Sequence, residues 1–296
     1  MMLKGTLTAL ITPFKNGVVD FEALENLIEW QIISGISGLV PCASTGEFAV
    51  LSEAEQKEIL KTCVRVSNKR VPIVAGASDI DPNKVVQLAQ NAIECGVDAV
   101  MTVVPYYVKP TQDQIHNFYS FIDNILRFPL LLYNNPARCA ITMSVDVIRK
   151  LSSSKTIIGI KEADSDITRP TKLLNVINRP DFSILSGNSA STPAFLAEGG
   201  HGVISVTSNV DPVRCSKNVQ AWKKLDMDTF TQTRQELIAL DEALYWDPAP
   251  ASIKYALSKR GLCSDEVRAP LTRFNDTFKA EMDQLLEKLE LGLISA

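Results

Sequence analysis

The chain has 296 residues, 46% of them hydrophobic and 22% charged, with a formal net charge of −4. That balance supports a large buried core, and no stretch is long and apolar enough to span a bilayer. It also offers none of the basic clusters with which nucleic-acid binders displace counterions. Six widely spaced cysteines with no C-x-x-C pair fit free thiols in a reducing compartment better than a disulfide framework. The start, Met1 to Phe14, lacks the long apolar core and small-residue cleavage site of a signal peptide, and a cytoplasmic location is expected. With only two histidines, His116 and His201, metal-dependent aldolase chemistry and a Ser-His-Asp hydrolase are both disfavoured.

In chain order, a short apolar run at 5–11 reads as a strand. Asp20 then caps a helix carrying Leu24, Leu27 and Ile28. A second strand is expected over 38–43, followed by a capping-box pair, Ser52 and Glu55, ahead of Ile59, Leu60 and Val64. A third strand at 71–75 precedes a helix that Asp81-Pro82 opens and Gly96 ends. After a fourth strand at 98–104, Thr111 and Gln114 repeat the capping box before Ile115, Phe118 and Ile122. Strands at 130–133, 156–160, 182–185 and 202–206 alternate with helices at 145–152, 167–178 and 191–198. Beyond them, 212–225, 228–245, 249–260 and 271–291 read as helices only. Repeated βα units predict an α/β fold, a (β/α)8 TIM barrel over 1–225 with a C-terminal helical extension over 226–296. A doubly wound sheet competes, but the first βα turn has no G-x-G-x-x-G fingerprint.

Polar residues gather at the C-terminal ends of the predicted strands, which in a barrel share one rim and form the active site. Lys161 closes the run Thr156-Ile-Ile-Gly-Ile160. A lysine there is either a snorkelling side chain or an amine withdrawn from water, whose neutral form attacks a ketone to give an imine. Tyr133 ends the fifth strand; alone it reads equally well as a core tyrosine or as a proton shuttle. Arg138 offers a planar fork for a carboxylate, although a surface arginine is the usual case. Ser44-Thr45-Gly46-Glu47 brings hydroxyls and amides to the second strand end, or is an ordinary capped turn. Tyr106 and Tyr107 are rim aromatics or oligomer contacts. His201, in Gly199-Gly200-His201-Gly202, lies at the opposite face and reads as part of a structural turn.

Ser-Thr-Gly-Glu at 44–47, Pro-Tyr-Tyr at 105–107, Tyr-Asn-x-Pro at 133–136 and Gly-Ile-Lys-Glu-Ala at 159–163 occur in this order. With them, from about Gly5 to Thr272, the chain resembles the dihydrodipicolinate synthase and N-acetylneuraminate lyase family of pyruvate-dependent class I aldolases. The resemblance implies that Lys161 forms the imine and that Tyr133, Ser44 and Tyr107 make a proton relay. It also implies that Thr45, Gly187 and Ile204 shape the pyruvate side. Arg138 resembles the synthase branch, in which the matching arginine holds the carboxylate of aspartate semialdehyde; a related aldolase acting on a 2-keto-3-deoxy sugar acid or 4-hydroxy-2-oxoglutarate is the alternative. The implied reaction condenses pyruvate with L-aspartate 4-semialdehyde to 4-hydroxy-tetrahydrodipicolinate, towards diaminopimelate and lysine, without a metal or organic cofactor. The implied assembly is a homotetramer, a dimer of dimers in which Tyr107 reaches a neighbour's site.

Three positions depart from the family pattern: Ala43 stands for a usual glycine, Ser44 for a threonine, and Cys139 for a serine or threonine. Members regulated by lysine supply a glutamate, an asparagine and histidines where this chain has Lys84, Ile80, Glu53 and Gln56. Weak inhibition by lysine is therefore expected.

Overall fold

In the computed structural model, which describes residues 1–294, eight parallel strands follow the predicted order. They are β1 (Gly5–Thr8), β2 (Gly38–Leu39), β3 (Val74–Gly76), β4 (Ala99–Val103), β5 (Leu130–Asn134), β6 (Ile157–Glu162), β7 (Ser183–Ser186) and β8 (Gly202–Ser205). They pair in the order β2-β1-β8-β7-β6-β5-β4-β3. The remaining seam, between β2 and β3, closes through a parallel bridge from Leu39 to Ile73. There the Leu39 N–H donates to the Pro72 carbonyl at 3.0 Å and the Gly76 N–H to the Pro41 carbonyl at 2.9 Å. Glycine is required at 76, because a Cβ on it would lie 2.1 Å from the Cys42 carbonyl oxygen. The TIM barrel read from the sequence is the fold observed.

Seven helices connect successive strands: α1 (Phe21–Ile33), α2 (Glu53–Ser67), α3 (Pro82–Glu94), α4 (Gln112–Leu126), α5 (Val145–Leu151), α6 (Arg169–Val176) and α7 (Thr192–Ala197). After β8 come α8 (Pro212–Lys224), α9 (Met227–Ala243), α10 (Ala251–Lys259) and α11 (Asp276–Lys288). The starts follow from local chemistry. Asp20 accepts the Ala23 N–H at 3.1 Å and Asp81 that of Asn83 at 2.9 Å. Ser52 with Glu55, and Thr111 with Gln114, form complete capping boxes. Each such cap contributes on the order of 1 kcal/mol. Among the described residues, no helix is long and apolar enough to cross a membrane.

Several details differ from the sequence reading. The first strand, expected over 5–11, ends at Thr8, the third, expected over 71–75, begins at Val74, and the last helix, expected over 271–291, spans Asp276–Lys288. The second strand ends at Leu39, since Pro41 has no N–H to give and Cys42 turns to φ 55°. A short hairpin, Phe14–Lys15 with Val18–Val19, was not expected. Its Asn16-Gly17 turn takes positive φ at both residues, as two-residue hairpins prefer. The Glu266 carboxylate receives both turn N–H groups, at 3.0 Å from Asn16 and 2.5 Å from Gly17, and so ties the hairpin to the C-terminal segment.

Candidate active site

Lys161 and Tyr133 are register partners on β6 and β5. Both are buried, 4% and 5% exposed, and the lysine Nζ lies 4.2 Å from the centre of the tyrosine ring. Strand alternation explains their direction. The next residue on each strand, Asn134 and Glu162, faces the helix layer, where Glu162 pairs with Arg169 of α6 at 2.8 Å; Lys161 and Tyr133 therefore face the barrel axis. Among the described residues no carboxylate pairs with Lys161, so the amine has the π face of Tyr133 rather than an opposite charge beside it. The Asn135 amide donates to the Tyr133 hydroxyl oxygen at 2.7 Å, which leaves the phenol's own proton free to be given elsewhere.

Next to this pair opens a cavity of about 370 Å³. Val103, the register neighbour of Tyr133, forms part of its wall, with Ser44, Tyr106, Arg138 and Cys139 around it. Ser44 begins a one-turn 3-10 helix, Ser44–Gly46, in which Thr45 is buried. Thr12 fixes that turn by donating its hydroxyl to the Gly46 carbonyl at 2.8 Å. Arg138 rides on a one-turn helix, Pro136–Cys139, and reaches the cavity from an exposed position. Gly187 follows β7 beside the end of β6, its N–H donating to the Glu162 carbonyl at 2.6 Å. A Cβ at 187 would lie 2.7 Å from that of Ala163, so only glycine allows this approach. Ile204 is fully buried on β8.

The structure thus brings Ser44 and Arg138 to one cavity, which meets the Lys161–Tyr133 pair through Val103. Lys161, Tyr133, Thr45, Gly187 and Ile204 do not line it: Thr45 lies in the turn after β2, Gly187 just past β7, and Ile204 within β8. Tyr107 is different: it is 90% exposed at φ 70° and does not line this chain's own cavity, whereas Tyr106 does. His201 accepts the Ile184 N–H at 3.0 Å through Nδ1 at the far end of the barrel.

The sequence did not reveal how far the C-terminal segment enters the site. Pro248, Ala249, Arg268, Pro270 and Leu271 all line the cavity. Glu47 is buried in an ion pair with Lys254 of α10 at 2.6 Å, and its other oxygen accepts the Arg268 N–H at 2.9 Å. Lys254 also donates to the Glu266 carbonyl at 2.8 Å and lies over the Phe14 ring, and burial pushes its ammonium below the usual lysine range. The signal was present in part, as a glutamate closing Ser-Thr-Gly-Glu and a lysine amid the apolar residues of 249–260, but nothing in spacing links the two.

A parallel barrel with a buried lysine and tyrosine at adjacent strand ends, next to a cavity carrying an arginine, defines the framework of an imine-forming barrel enzyme. Residues 2–289 match the dihydrodipicolinate synthetase family, and the chain belongs to it. A 4-hydroxy-tetrahydrodipicolinate synthase from Bartonella bacilliformis is 41% identical over 295 residues, covering 99% of each chain. The crystal structure of dihydrodipicolinate synthase from Aquifex aeolicus superposes with a TM-score of 0.95 at 32% identity, covering 99% of this chain and 100% of that one. The enzyme from Cyanidioschyzon merolae, crystallised with lysine bound, gives 0.93 at 28% identity, covering 97% and 98%.

Arg268 donates to both oxygens of Glu55, at 3.0 and 2.5 Å, and holds this carboxyl down to about 2 from an ordinary 4.5. Because the folded value lies below the unfolded one, the contribution is complete above about pH 4.5 and is lost as pH falls towards about 2. Glu55→Gln is expected to lose on the order of 1 kcal/mol near neutral pH. In urea unfolding series, its deficit relative to wild type should shrink on acidification through that window. A deficit independent of pH would contradict the pairing.

Proposed function

We propose that this chain condenses pyruvate with L-aspartate 4-semialdehyde to give 4-hydroxy-tetrahydrodipicolinate, on the route to diaminopimelate and lysine. Residues 1–225 would supply the barrel and 226–296 an extension packed on it; the likeness to synthases over nearly the whole chain supports the reaction. The observation that carries the mechanism is the buried lysine against the tyrosine ring. In this reading the Lys161 amine adds to the pyruvate carbonyl carbon, and loss of water leaves an imine. The protonated imine draws electrons from C3, which loses a proton to become an enamine. Attack of that carbon on the aldehyde forms the new C–C bond while the aldehyde oxygen takes up a proton. The amine of the extended chain then adds to the imine carbon and expels Lys161 as the ring closes. Tyr133 and Ser44 pass the protons, Thr45, Gly187 and Ile204 shape the pyruvate side, and Arg138 in the cavity wall receives the semialdehyde's carboxylate. The presence of an arginine in that wall supports the synthase reaction over cleavage of a sugar acid. The electron sink is the imine itself, so the mechanism calls for no cofactor.

Borohydride added with pyruvate should inactivate the enzyme and leave the reduced adduct on Lys161, mapped by peptide mass spectrometry. Lys161→Ala should carry no adduct. Tyr133→Phe should slow turnover by about 10²–10⁴-fold, the usual worth of a positioned acid–base group. Complete inactivation with Lys161 unmodified, or near-normal turnover of Tyr133→Phe, would refute these roles.

The exposed Tyr107 ring supports an assembly in which it completes the relay of a neighbouring subunit, in a homotetramer built as a dimer of dimers. A cytoplasmic location goes with this reading. Sedimentation velocity should find an oligomer at assay concentration; a fully active monomer would remove Tyr107 from the relay.

Lysine, bound in the Cyanidioschyzon merolae structure, should inhibit this chain weakly. Lys84 is ion-paired to Glu53, which also receives the Gln87 amide at 3.1 Å and the Asn91 amide at 3.4 Å. Glu53 is thereby committed to a residue of its own chain, and Lys84 adds a like charge facing any incoming ammonium. Half-inhibition in an initial-rate titration is expected above about 1 mM, a binding energy weaker than roughly 4 kcal/mol. Inhibition well below that concentration would show that the interface binds lysine through other groups.

A further inference from the structure

One residue beyond the Lys161–Tyr133 pair, on the opposite face of the same two strands, lies a buried polar cluster that the chemistry above does not use. Asn134 and Glu162 are again register partners. The Asn134 amide donates to Glu162 Oε1 at 2.6 Å, and the Asp164 N–H reaches the same oxygen at 2.9 Å. Arg169 donates to Oε2 through Nε at 2.9 Å and a terminal nitrogen at 2.8 Å. Four N–H groups thus converge on one carboxylate whose side chain is 1% exposed, opposite a guanidinium 7% exposed. Removing both charges from water is expensive, and apolar residues of similar volume stabilise such a position as well or better. Stability alone is therefore a poor reason for this cluster.

Its connections indicate another. Asn134 Oδ1 accepts the Met143 N–H at 2.9 Å, Asn134 Nδ2 donates to the Thr142 hydroxyl at 3.0 Å, and Arg169 donates to the Met143 carbonyl at 2.8 Å. The Thr142 hydroxyl in turn donates to Asp164 Oδ2 at 2.7 Å. The segment 135–143, which carries Arg138, is anchored at both ends to the strands bearing Tyr133 and Lys161. We propose that Glu162, with Arg169 and Asn134, is a positioning residue: by cross-linking β5 and β6 it sets the offset between the Lys161 amine and the Tyr133 ring, and by clamping 142–143 it places Arg138 over the cavity. This rests on the roles given above to Lys161, Tyr133 and Arg138.

The test combines kinetics with stability. Glu162→Leu leaves the Arg169 guanidinium stranded in the interior, so both stability and kcat should fall. In Glu162→Leu/Arg169→Met no stranded charge remains; stability should recover while kcat stays tenfold or more below wild type. Glu162→Gln, which keeps an acceptor for Asn134, should retain more turnover than Glu162→Leu. Thr142→Val alters only the exposed end of the network and keeps the measurement decisive if the interior variants fold poorly. It should unfold at the wild-type temperature and trap pyruvate on Lys161 at the wild-type rate, yet show a KM for the semialdehyde raised several-fold. A double variant with wild-type kcat, or Thr142→Val with unchanged KM, overturns the proposal while wild-type trapping still stands. A wild type that does not trap pyruvate at Lys161 removes the parent mechanism and this inference together.

Discussion

An amine withdrawn from water at the end of a barrel strand needs something to tolerate its charge, and here the neighbour is the face of a tyrosine ring 4.2 Å away. A carboxylate at ion-pair distance would favour the ammonium and suppress its nucleophilicity; a purely apolar wall would offer no route for protons. In the proposed mechanism the ring would meet both needs, being weakly attractive to the cation and carrying a hydroxyl. This works only while β5 and β6 hold one register, since a slip of a single residue would turn either side chain into the helix layer. On its other side β6 is set against β7 at Gly159. A Cβ there would lie 2.3 Å from the Ser183 carbonyl oxygen, so its absence lets β6 lie close against β7 just before Lys161.

Two buried ion pairs stand on different sides of the centre. Glu162–Arg169 lies behind the strands, and Glu47–Lys254 beside the cavity, where it ties the Ser44–Gly46 turn to α10. Glu47 is itself in the left-handed region, at φ 57°. A non-glycine residue held there costs free energy unless its surroundings fix it, and Lys254 and the Arg268 N–H supply that fixing. The C-terminal segment is thus part of the cavity wall and also part of what shapes the turn opposite Arg138. Loss of either partner of the Glu47–Lys254 pair would strand a charge, a cost of about 3–5 kcal/mol in comparable interiors.

How much of this could be read from the chain alone depended on the range of the interaction. Strand and helix order followed from local periodicity and caps, and the Ser52–Glu55 and Thr111–Gln114 boxes occur where the spacing put them. The placing of Lys161 and Tyr133 at strand ends was legible, because each is a polar residue closing an apolar run in a parallel barrel, while a chemical role for either needed its neighbours, since alone each reads equally well as structural. Ser44 and Arg138 needed the family motifs, since a serine in a turn and an arginine after a proline are ordinary by themselves. Contacts between distant parts of the chain were not legible: the Lys254–Glu47 pair, the Glu266 clasp on the Asn16-Gly17 hairpin, and the entry of 248–249, 268 and 270–271 into the cavity. The outward direction of Tyr107 depends on one positive φ, which no pattern in Pro-Tyr-Tyr encodes.

In the proposed mechanism Lys161, rather than the buried Lys254, would carry the substrate covalently. Lys254 is spent on Glu47 and a backbone carbonyl. A crystal structure determined after soaking with pyruvate tests this directly. Continuous density from Lys161 Nζ to the second carbon of pyruvate, with the Tyr133 hydroxyl within hydrogen-bonding distance, is the predicted result. Pyruvate bound without a covalent link, or joined to Lys254, would contradict the account.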